Sequence, residues 1–170
     1  MAVVNINNDM IVDDIYRAWA GSDRQKRLLA IDIAEMCLHI ARSRGYAMDD
    51  ENLIFALSVA KRFANSSASD DDFYKANRRA VYALTRRCDL EDVDYNETPT
   101  FLTGVYYIIF ATTIVDANDA IDGSVRKAKQ LIKNDTALNT DQNTKRLSIE
   151  RCLSRLIDAA SDPCSYKPTD

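Results

Sequence analysis

Two rows of carboxylates are the residues best spaced for chemistry in this chain. Asp32 and Glu35 stand three positions apart, and Asp116, Asp119 and Asp122 keep the same interval. Residues three apart share one helix face. Two such rows turned toward each other would chelate Mg²⁺ or Mn²⁺ through oxygen ligands. That is the chemistry of a metal-dependent nucleotide phosphohydrolase or a small-ligand binder. The sequence lacks the dense Glu-Glu-x-x-Glu run and the glycine-rich phosphate loop that such chemistry would use. The plainer expectation puts these acids on exposed helix edges or against bases such as Arg126.

Other constellations are thinner. Asp92, Asp94 and Asn96 open like a calcium loop, but Glu97 stands where glycine is needed and Thr103 where a bidentate glutamate is needed. Lys75, Arg78, Arg79, Arg86 and Arg87, with Tyr74 and Tyr82 among them, form a basic aromatic stripe of the kind that grips phosphate backbones. Yet acids open this segment and arginines close it, the charge order a helix dipole favours by itself. The acids that follow it, from Asp89 to Asp94, would repel a polyanion. His39 is the only histidine, and Cys37, Cys88, Cys152 and Cys164 never form a Cys-x-x-Cys pair. Reduced thiols are expected. No catalytic residue, metal or cofactor is assigned.

The elements that hold these groups read as helices. Only four glycines and three prolines interrupt 170 residues, and no strand pattern occurs. The charge-free run from Phe101 to Val115 must be buried on most sides. Its threonines, Gly104 and the acids beyond it speak against a membrane span. About six helices are expected. The first covers roughly 9–20 and holds Trp19. The second opens at Ser22 with Gln25 in a capping box and ends at Gly45. The third spans about 51–64 behind an aspartate cap, with Leu53, Ile54, Leu57, Val59 and Ala60 inward. The fourth spans about 70–87 behind Ser69, with Phe73, Ala76, Ala80, Val81 and Leu84 inward. A central helix starts at Thr98 and Pro99 and runs to about 121, extending toward 133 with any break at Asp122, Gly123 and Ser124. A last helix follows Thr140 and ends at Pro163, before a loose tail. The fold class is all-α: a single-domain bundle of six helices around a buried central helix at about 99–121. The start of the chain has no basic segment leading a long apolar one, so a cytoplasmic protein without a secretory signal is expected.

The run from Phe55 to Leu84, FALSVAKRFANSSASDDDFYKANRRAVYAL, resembles alanine-rich all-helical bacterial proteins of immunity type. Arg62, Phe63, Ala64, Ala68, Ser69 and Ala76 fall on their pattern, within a similarity covering about 15–121. Asn65 and Ser66 replace the family's glycine, Phe73 replaces its leucine, and the central helix is aromatic where theirs is alanine-rich. The resemblance implies a protein that binds and neutralises another protein, and it transfers no catalytic residue.

The expectation is therefore a non-enzymatic binding protein of immunity or inhibitor type, from a bacterium or phage. Its partner-binding residues are expected to be Asp89, Glu91, Asp92, Asp94, Tyr95, Arg78 and Tyr82. The charges would steer and the aromatics anchor. Nucleic acid through the basic face, a metal held by Asp32, Glu35, Asp116 and Asp119, and a homo-oligomer are the alternatives.

Overall fold

The computed structural model describes residues 22–92 and 100–134. The expected first and last helices, Trp19, Asp94, Tyr95, Thr98, Pro99, Cys152, Cys164 and the tail lie outside the described residues. Among those described there are five helices and no strand: α1 (Asp23–Ser43), α2 (Glu51–Ala64), α3 (Asp70–Glu91), α4 (Phe101–Ala111) and α5 (Ala117–Asn134). No described helix is long and apolar enough to cross a membrane.

Local chemistry places the ends of the first three. Ser22 and Gln25 form the reciprocal capping box of α1. Asp50 accepts from the Asn52 N–H and Ser69 from the Asp72 N–H, satisfying first-turn donors of α2 and α3. At the other end of α1 the Tyr46 N–H bonds the Ala41 carbonyl and the Gly45 N–H that of Arg42. This Schellman closure requires Gly45 at φ +83°. The end of α2 repeats it, with Ser67 bonded to Arg62 and Ser66 to Phe63, but a serine occupies the left-handed position, at φ 58°.

α4 is the buried centre and touches all four other helices. Val105, Ile108, Ile109 and Ala111 are essentially sealed from water, against Leu29, Ile31 and Ile33 of α1 and Ile121 and Val125 of α5. Gly104 lets α5 come close, since a Cβ there would meet the Leu131 side chain. The Cys37 thiol sits in this core, and burial pushes it up to about 12.

Three expectations need correction. The central helix does not run unbroken to 121; it stops at Ala111 and a new helix starts at Ala117. Thr112, Thr113, Ile114 and Val115 are four β-branched residues in succession, which a helix tolerates poorly. The Thr112 and Thr113 hydroxyls donate to the carbonyls of Ile109 and Phe110, both at 2.6 Å. Asp116 then caps α5 by accepting from the N–H groups of Asn118 and Asp119. Asp122, Gly123 and Ser124, the expected break, are ordinary helix, braced by the Asp122–Arg126 pair at 2.9 Å. The second correction is the cap of α4, which is Thr100. Third, Ile54 and Val81, expected in the core, face outward.

Candidate functional site

The outer face of α3 carries the most conspicuous exposed chemistry. Between Asp72 and Asp89 the helix has no acid and five bases, in a chain whose net charge is −4. Tyr74 and Tyr82 stand 59% and 58% exposed, with Val81 at 42% beside them. Ala76, Ala80, Ala83 and Leu84 turn inward, and Ala76 and Ala80 pack on Ala56 and Val59 of α2, so the tyrosines and arginines are left outward. The Arg78 guanidinium lies over the Tyr74 ring at 6.0 Å. Lys75 is paired with Asp71 at 2.6 Å, a contact that raises its pKa through their hydrogen bond and charge attraction. Arg79 sits on the Phe55 ring at 4.4 Å. Of the five bases, Arg78, Arg79 and Arg86 form no ion pair with a described carboxylate, and Arg79 is held by a ring instead.

The expected acidic patch divides. Asp89 and Asp92 are exposed, with Asp92 in the left-handed conformation that closes α3. Glu91 is an internal clasp. Its side chain is only 10% exposed and receives Arg87 at 2.6 Å and the Thr100 hydroxyl at 2.7 Å. Burial by itself would raise this carboxyl, but hydrogen bonds from Thr100, Thr103 and Arg87 outweigh it and hold the group below its ordinary pKa. Glu91 thus ties the end of α3 to the start of α4, and α3 runs a turn beyond the expected Arg87.

The carboxylate rows of α1 and α5 have separate employment. Glu35 meets Lys61 of α2 at 3.3 Å, Asp116 caps its own helix, and Asp122 holds Arg126. Asp32 is half-buried and Asp119 exposed. Among the described residues no group of three or more histidines, cysteines or acids is placed to hold a metal ion.

The sequence gives little sign of Arg27. It is buried against the stacked Phe63 and Phe73 rings, 5.2 and 5.0 Å from their centroids, and donates to the carbonyls of Ile114 and Val115. Desolvation lowers its pKa, opposed by Asp23 and Asp116. Asn77 of α3 reaches the same corner, donating to the Thr113 carbonyl and hydroxyl at 3.2 Å. The only available signal was a pair of bases, Lys26 and Arg27, leading the apolar stretch of α1 in KRLLAI. Comparison of the chain with family models, with curated proteins and with solved structures finds no match.

Proposed function

We propose that this chain is a non-enzymatic, cytoplasmic protein-binding module of immunity or inhibitor type, in a bacterium or phage. It occludes a partner protein through the outer face of α3. The observation that carries the reading is the exposed grouping of Tyr74, Arg78, Val81, Tyr82 and Arg86 on that one helix. Tyrosine and arginine are the residues that dominate interface energetics, because they bring large rigid contact area and directional donors. Protein is favoured over nucleic acid because Lys75 and Arg87 are already engaged by acids of their own helix. That leaves few cations for phosphates, and phosphate contacts supply most nucleic-acid affinity.

The test is capture of binding proteins from bacterial lysate by wild-type chain and by a Y82A/R78A variant. A protein retained by the wild type and lost by an equally well folded variant supports the reading. Identical capture by both removes it.

A further inference from the structure

α4 and α5 form an antiparallel hairpin whose contacts mirror about one position. Gly104 lies against Leu131, the Lys127 ammonium sits 4.6 Å from the centre of the Tyr107 ring, and Ala111 faces Gly123. Each pair is centred on Ala117 to within a residue. Such a pairing is its own reverse. Two copies of this stretch, straightened and laid antiparallel, make every one of these contacts twice, as an isologous interface demands.

The turn between the two helices is held from outside. In an unbroken helix the N–H groups of Ala117, Asn118 and Asp119 would bond the carbonyls of Thr113, Ile114 and Val115. Here the Thr113 carbonyl accepts from Asn77 of α3 at 3.2 Å, and those of Ile114 and Val115 accept from Arg27 of α1. The Asn118 and Asp119 N–H groups turn instead to the Asp116 carboxylate. Three side chains thus stand in for one turn of backbone bonding, and their loss returns those backbone groups to one another.

We infer that the turn at 112–116 is a hinge with a second stable setting, in which α4 and α5 fuse into one helix and α5 changes places with that of a second copy. The product is a domain-swapped dimer. Ile121, Val125 and Leu131 enter the same core they fill in the single chain, so only the hinge differs between the two forms. The middles of α4 and α5 lie about 20 residues apart on the fused helix, or about 30 Å, the diameter of a small domain. Each body of helices therefore has room beside the other. The β-branched run from Thr112 to Val115 disfavours the straight setting and makes the single chain the resting form in dilute solution. The outer face of α3 takes no part in the exchange.

The test holds the full chain at about 1 mM just below its thermal midpoint, where mass action favours association. The cooled sample is then sized by chromatography with light scattering. Wild type is expected to yield a species of two 19.2 kDa chains beside the single one. Since α5 must leave one core to regain the other, this dimer persists on cold dilution and reverts on rewarming. R27M removes donors that only the bent setting uses, and is expected to raise the ratio of dimer to monomer about tenfold. Val115 is 76% exposed, so proline fits there in the bent turn, but inside a fused helix it would clash with the preceding turn. V115P is expected to stay monomeric, as is a chain with two glycines inserted after Val115 should the proline variant not fold. Wild type that gives no dimer, a dimer that falls apart on cold dilution, or a folded V115P or glycine-inserted chain that dimerises like wild type overturns the inference.

Discussion

Arg27 donates from Nη1 to the carbonyl oxygen of Ile114 at 2.9 Å, joining residues far apart in sequence at the corner between α4 and α5. The same guanidinium serves the Val115 carbonyl and lies against the stacked pair of Phe63 and Phe73. One cation from α1 thus satisfies a break in the chain and bridges α2 to α3. Replacing it with methionine keeps the bulk but takes the donors away from a part-buried corner. R27M is expected to cost about 1–3 kcal/mol in urea unfolding. R27K keeps a charge but loses the planar fork, and should fall between. Equal stability of R27M and wild type would show that the corner closes without this residue.

The Glu91 clasp should be visible in the pH dependence of stability. Its folded pKa lies below the ordinary 4.5, so the folded state favours the ionised form. The contribution is complete above the unfolded value and is lost as pH falls through the folded one. E91Q is expected to be about 1 kcal/mol less stable than wild type at neutral pH, discounted for its partial exposure. The two should converge in acid, once the pH has fallen below the lowered folded pKa of Glu91. A gap that is constant across pH contradicts the clasp.

Gly104 is needed for its missing Cβ. An added methyl group would lie 2.9 Å from Leu131 Cγ, and that side chain is itself buried. G104A is expected to cost about 1–3 kcal/mol by overpacking. Trimming the neighbour should relieve it, so G104A/L131A should be less destabilised than the sum of the single changes. Strict additivity would place the strain elsewhere.

Ser66 occupies the left-handed position that closes α2, where a Cβ is penalised. S66G is expected to stabilise by about 0.5–1 kcal/mol, read as a raised thermal midpoint.

What was legible in the sequence was local. Ser22 with Gln25, the aspartate before Glu51, and Ser69 with Asp72 announce their helix starts because a cap and the N–H that donates to it lie within one turn. The apolar density of 101–111 announced the centre. Its end was hidden, because Thr112 to Val115 read as a continued apolar run, while the groups that hold the break, Arg27 and Asn77, come from other helices. Ile54 and Val81 had core-like spacing, yet no described neighbour covers them. Glu91 read as one more surface acid because its hydroxyl partner, Thr100, lies nine positions away in the sequence. On the candidate face, Arg78 and Tyr82 were legible, whereas Val81 joined them only once the helix was rotated in three dimensions.

The depth of Cys37 gives the protein an internal clock. A thiol with no exposure to speak of and an acidity suppressed to about 12 reacts with an alkylating reagent only while the surrounding helices are apart. The rate at which iodoacetamide modifies it, resolved by peptide mass, therefore counts openings of the bundle. No added mutation is needed to watch how often that happens.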